Sequence, residues 1–240
     1  MKNPITPRAE QNLEAQIRVA SRLKESAADE RHSPAPFITL SRQFGCEAVA
    51  LAEAVAAQLD AGGQLESGSW QVYSRKLIEA MADQEYSYEH LMSALGSKSR
   101  GAIEEFMSTL FGQISDLKLM HKLVRTIRAT ATLGRCIIVG RGAAVITRDM
   151  PGGIHVRLVA SEAYRLRGLI ERHGWTEAAA REALLQQDRE RAHFYEKYLQ
   201  RDSSDPELYD LVLNAGSLTQ AQMADQIVTL YRARRLAQSA

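Results

Sequence analysis

The sequence has few of the residues that brace small or extracellular folds. Only two of its 240 residues are cysteines, Cys46 and Cys136, and they lie far apart. That excludes a disulfide framework and a four-cysteine zinc site. Six prolines and fifteen glycines exclude collagen-like and low-complexity chains. Aromatics make up 6% and are not interleaved with basic residues, while 30 basic and 29 acidic residues leave a net charge of +1. A nucleic-acid module is therefore not expected, nor a general attraction to anionic membranes. The six histidines are scattered without metal-ligand spacing, so no metal site is expected from them. The most apolar long stretch, Ala48 to Leu59, is interrupted by Glu53 and falls short of the roughly 20 residues that span a bilayer. The first residues lack the continuous apolar segment of a secretory leader, which makes a cytoplasmic location the expectation.

What is present reads as a helical appendage and one α/β domain. Residues 1–35 are charged, with Leu13, Ile17, Ala20 and Leu23 recurring on one helical face before Ser33-Pro34-Ala35-Pro36 breaks the pattern. That helix is expected to pack on its own domain or, as the alternative, on a second subunit to make a homodimer. Residues 36–240 change character. Short β-prone runs start near Phe37, Trp70, Cys136, His155 and Tyr209, and alanine- or leucine-rich helical stretches separate them. The stretch from Tyr86 to Ala131 is expected to be mainly helical, broken near Gly96 to Gly101. Glu162 to Arg172 and Thr176 to Gln200 predict two helices split at His173-Gly174. Apolar strands alternating with helices predict a parallel sheet covered on both faces, with the Phe37 and Cys136 strands near its centre.

Such sheets bind ligands at the carboxyl ends of their strands. The residues there are Ser41 to Glu47, Ser74, Gly140 to Gly142 and Ala160 to Arg167. Phe37 to Leu59 reads as strand, loop, helix, the place of a phosphate loop. Its single glycine, Gly45, and the lack of a Gly-x4-Gly-Lys-Ser/Thr pattern make this a weak signal when taken alone, with a plain strand-to-helix turn as the favoured reading. Arg141, between two glycines, can fork onto phosphate or a carboxylate, or lie in a surface turn. The arginine-rich pair of helices carrying Arg165, Asp188 and Arg191 reads either as a lid over phosphates or as a solvated face. Cys46 is a reactive thiol or a small buried residue.

Taken in order, Ile38 to Gly45, Val139 to Ala143, His155 to Ala160 with Arg165, Asp188 to Arg191, and Asp205 to Asn214 resemble the cytidylate kinase-like family, a branch of the nucleoside monophosphate kinases. The resemblance covers roughly residues 37–232. It implies an α/β P-loop kinase-like fold: a five-stranded parallel sheet flanked by helices, with a helical insertion and a lid. It implies transfer of a phosphoryl group from ATP, with Mg²⁺, to CMP or dCMP. Ser41, Arg42, Gln43, Phe44, Gly45, Cys46, Glu47, Ala48 and Val49 would form the phosphate loop. Arg141 would meet the monophosphate, and Arg165, Asp188 and Arg191 would belong to the lid. The sequence departs from the family where a Gly-Ser-Gly-Gly run usually follows the aromatic residue. Here Gly45-Cys46-Glu47-Ala48 stands there, Ala48 replaces the phosphate lysine and Val49 the metal-binding hydroxyl. Ser74 replaces an aspartate that often follows the second strand. Two readings stay open: a kinase, or a non-catalytic relative that senses a nucleotide or anion or binds a partner protein.

Overall fold

The computed structural model describes residues 35–62, 69–83, 85–111 and 118–239. The helical appendage expected within residues 1–35, and the subunit contact expected from it, fall on residues 1–34, which lie outside these. Five strands form the sheet: β1 Phe37–Arg42, β2 Gln71–Tyr73, β3 Cys136–Val139, β4 Gly153–Val159 and β5 Leu211–Asn214. All pairings are parallel, and the order is β2-β3-β1-β4-β5. The expected sheet and the central place of the Phe37 and Cys136 strands are both found.

Alternation along the strands sorts the core into two faces. Phe37, Tyr73, Cys136 and Ile138 join one cluster with Ile127 and Val124. That side is covered by the helices α2 Arg75–Asp83, α3 Glu85–Ser93, α4 Ser97–Phe111 and α5 Lys118–Leu133. Ile38, Leu40, Ile137 and Val139 join the other cluster with Leu51, Val55 and Ile227. Those partners come from α1 Ala48–Ala61 and from a long helix at Gln220–Ser239. Each fully buried Leu or Ile contributes about 1.5–3 kcal/mol, and those on the central strands are at most 1% exposed.

Between β3 and β4 lies one short helix, α6 Ala143–Ile146. After β4 come α7 Glu162–His173 and α8 Glu177–Phe194, and α9 is the helix at Gln220–Ser239. Ser161 caps α7 by accepting from the Tyr164 amide, and Thr176 caps α8 by accepting from Ala179. Gly174, left-handed at φ +65°, ends α7 where the sequence predicted the split. The α8 helix does not run on to Gln200: it widens into a π turn over Tyr195–Leu199, closed by Gln200 in a left-handed conformation. Among the described residues no helix is long and apolar enough to cross a membrane.

Candidate functional site

The parallel register brings four strand ends to one edge. Ser41 and Arg42 end β1, paired with Arg157 and Leu158 of β4. Gly140 to Gly142 follow β3, and Arg75 opens α2 just after β2. A cavity of about 90 Å³ opens there. Its lining includes Arg42, Arg75, Arg141, Arg157 and Arg191, with Ser41, Tyr195 and Ser203 among the polar groups and Glu190 as the one carboxylate. The volume is below the roughly 300 Å³ of a pocket that swallows a whole drug-sized ligand. It suits a compact charged head group.

The arginines are pressed together without enough negative charge. Arg141 pairs with Glu79, which also accepts from Arg75 Nε at 3.4 Å. Among the described residues Arg42 and Arg191 form no ion pair; Arg191 donates instead to the Arg42 carbonyl at 2.9 Å. Burial, then Arg191 and Arg75, pulls Arg42 down from the usual arginine range to about 9. Burial, then Arg75 and Arg191, brings Arg141 to about 10. Arg191 is lowered too, by burial first. Charge on these arginines is held at a cost in solvation and repulsion, which an incoming anion would offset. Arg157, only 8% exposed, is held by Tyr209 Oη at 3.1 Å and the Ser203 carbonyl. The hydroxyls of Ser41 and Tyr195 meet at 3.2 Å.

Gly140 makes room for this cluster. Its φ is +88°, and a Cβ there would lie 1.9 Å from Arg42 Nη1. The Arg42 side chain therefore crosses the top of β3 only because position 140 has none. Arg141 itself takes φ +54°, a left-handed conformation that non-glycine residues adopt at a cost of about 1–3 kcal/mol.

The β1–α1 loop lies beside this cavity and is wired differently. The Gln43 amide donates to Leu158 O at 3.1 Å, and the Gln43 side chain accepts from Ala160 at 2.9 Å. The amides of Phe44, Cys46 and Ala48 donate to Asp188 Oδ1, the Gln43 carbonyl and the Cys46 carbonyl. Cys46 and Ala48 turn inward, at 8% and 3% exposure, into the core under α1. Burial pushes the Cys46 thiol up, which fits the buried reading rather than the reactive one. Glu47 caps α1 without a side-chain hydrogen bond, and its carboxylate pairs with Arg172 at 3.3 Å. Val49 is exposed. Four loop amides are thus already bonded, and no ammonium or hydroxyl stands where phosphates and their metal would need one. These residues do not fit a tightly held Mg²⁺–triphosphate.

Of the four residues assigned to the acceptor and lid, the structure brings Arg141 and Arg191 into the cavity. Arg165 and Asp188 pair with each other over the loop instead. Ser74 caps α2, accepting from the Leu77 amide at 3.4 Å. Arg75 and Arg157 were missed by the sequence reading. Arg157 had a signal, an arginine inside the apolar run His155 to Ala160, and Arg75 stood one residue past a strand-end position already noted.

The cytidylate kinase-like family matches this chain over residues 37–217. The crystal structure of an uncharacterized protein from Eubacterium ventriosum superposes with a TM-score of 0.63 at 20% identity, covering 82% of this chain and 98% of that one. It shares the fold. A shikimate kinase from Bacteroides thetaiotaomicron aligns over 81% of this chain and 96% of its own, with a TM-score of 0.43 and 16% identity. The uronate isomerase of Corynebacterium glutamicum is 32% identical over 95 residues. That stretch is 40% of this chain, and the chain covers 18% of the isomerase.

Proposed function

The chain belongs to the cytidylate kinase-like family, and from that premise we propose that it binds the phosphate of a nucleoside monophosphate, CMP or dCMP, in the arginine cavity. The observation that carries this reading is the cluster of five arginines around one small cavity with a single lining carboxylate. Arg42, Arg141 and Arg191 would take the phosphate oxygens, Arg75 would add charge and Arg157 would close the floor. A cavity this small leaves the base and sugar outside it.

Transfer from ATP is the second function the family suggests. ATP would bring the γ-phosphoryl group and Mg²⁺ would offset its charge. In this chain the loop that should hold them lacks the lysine and hydroxyl and bonds its own amides. Catalysis of phosphoryl transfer is mainly positioning and charge neutralisation, so the expected transfer is slow or absent. The protein is read as a monophosphate binder first.

Calorimetric titration with CMP, dCMP, other monophosphates and ATP–Mg²⁺ tests this. CMP or dCMP should bind, and ATP–Mg²⁺ should bind far more weakly. Arg141→Ala and Arg191→Ala should each weaken monophosphate binding about 10- to 100-fold, the worth of a charge-assisted hydrogen bond. Unchanged affinity in both variants would remove the cavity from the ligand's path. Brisk CMP-dependent ADP production by the unaltered protein would make it a kinase.

A further inference from the structure

One carboxylate closes the β1–α1 loop. The Phe44 amide donates to Asp188 Oδ1 at 2.8 Å, and the other oxygen of that carboxylate pairs with Arg165 Nη1. The same Nη1 donates to the Phe44 carbonyl at 3.1 Å. The amide, carboxylate and guanidinium thus form a ring around Phe44. Arg165 is 7% exposed, and its Nε is buried with no hydrogen-bond partner. Contact between loop and α7 is tight, since a Cβ on Gly45 would sit 2.9 Å from Arg165 Cβ. Arg172 adds a second tie, donating to the Gly45 carbonyl at 3.0 Å.

A loop amide and a buried guanidinium converging on two oxygens are the donor set of an oxyanion site. Here the two oxygens belong to the chain. We propose that the β1–α1 loop is an oxyanion site occupied by the chain's own Asp188 carboxylate, and that an external phosphate can enter it only when that carboxylate leaves. Asp188 is 23 residues beyond Arg165 in sequence and sits on α8, so the carboxylate leaves the loop by a change of its own rotamer or with a shift of α8. The proposal concerns the loop alone and is separate from the ligand of the arginine cavity, whose lining does not include Arg165 or Asp188.

Thermal unfolding in sodium phosphate, against sodium chloride of equal ionic strength, provides the test. Three proteins are compared: the unaltered chain, Asp188→Ala, and Asp188→Ala combined with Arg165→Ala. All keep the arginine cavity, so its own response to phosphate is common to them. Phosphate should raise Tm in Asp188→Ala by about 2–4 °C more than in the unaltered chain. The double variant should lose that extra shift. The milder Asp188→Ser, which keeps a hydroxyl near the Phe44 amide, carries the same comparison should the alanine variant not fold. Hydrogen exchange at the Phe44 amide is the local readout. It should be slow in the unaltered chain, at least about tenfold faster in the Asp188 variant, and slow again with phosphate. Equal phosphate shifts in the unaltered and Asp188-substituted chains, or fast exchange at Phe44 in the unaltered chain, would overturn the proposal. Loss of CMP binding with these outcomes intact would count against the cavity reading only.

Discussion

His155 shows how a single buried side chain sets a pH limit. Its Nδ1 lies 2.9 Å from Thr39 Oγ1, its ring is 6.1 Å from that of Phe37, and it is 2% exposed. Burial is the main cause that lowers its pKa from 6.5 to about 4, partly opposed by Asp210; Arg148 and Arg234 lower it further. The unfolded chain therefore binds this proton between those two values while the folded chain does not. Stability is full above about pH 6.5 and falls as pH drops toward about 4, by roughly 2 kcal/mol at pH 5. Urea midpoints at pH 7 and pH 5 should differ accordingly, and His155→Gln should flatten the difference. Gly140 makes the complementary case, because its missing side chain is what matters. Gly140→Ala would force the Arg42 guanidinium aside and place a Cβ on a backbone at φ +88°, which costs about 1 kcal/mol or more. Monophosphate affinity should fall about as far as in Arg141→Ala, with the protein still folded. His155 did not stand out in the sequence, and Gly140 did so only as a strand-end glycine, not as the gap that Arg42 fills. A lone histidine carries no spacing signal, and the glycine's role depends on a side chain from a different strand.

Among the elements, strands and helices were legible to within a few residues, because apolar runs of four to seven residues bounded by glycine or polar turns have few other uses. The split at Gly174 was legible from its glycine, and so was a break near Gly96, although the helix Ser97–Phe111 resumes at once and runs through Gly101, where the sequence had extended the break. Local features set by tertiary contacts were not. The π turn at Tyr195–Leu199 continues a helical pattern seamlessly in sequence, yet it helps bring Tyr195 onto Ser41 at the cavity. Such turns are often found at functional sites. Arg128 of α5 was equally hidden. It is 4% exposed, makes two bonds to Asp149 at 2.7 and 2.9 Å, donates to the Ile146 carbonyl at 2.8 Å and lies over the Phe106 ring at 4.0 Å. This ties α5 to α6 and to the turn before β4. Asp149→Ala leaves a buried guanidinium without its carboxylate and should cost about 1–3 kcal/mol, read as a lower urea midpoint with little change in slope. Arg128→Met, which removes charge and keeps a long apolar stem, should cost less than that.

On the scale of the whole molecule, the family's fold is kept while the loop that defines its chemistry is sealed from two sides. Part of this was visible in the chain: Glu47, Ala48 and Val49 stand where glycine, lysine and hydroxyl would be. The rest was not, because Asp188 and Arg172 reach the loop from helices more than a hundred residues away. The structure also divides the two altered loop positions. Ala48 is the first residue of α1 and points into the core, so Ala48→Gly would remove a buried methyl and helix propensity worth about 1 kcal/mol without widening the loop. Glu47 is exposed beside Arg172, and Glu47→Gly would remove negative charge and free that arginine. Taken alone it should barely improve ATP–Mg²⁺ affinity, since Asp188 still holds the Phe44 amide. Asp188→Ser alone should gain only part of the affinity, since it opens the Phe44 amide to one phosphate group while Glu47 still opposes the rest of the triphosphate. Together they should gain more than the product of the single effects, a coupling of at least about 0.5 kcal/mol, as expected for residues that share one network. Titrating the four proteins with ATP–Mg²⁺ measures it directly. Single effects that simply multiply would mean that loop and α8 act independently, and that the missing lysine alone keeps the triphosphate out.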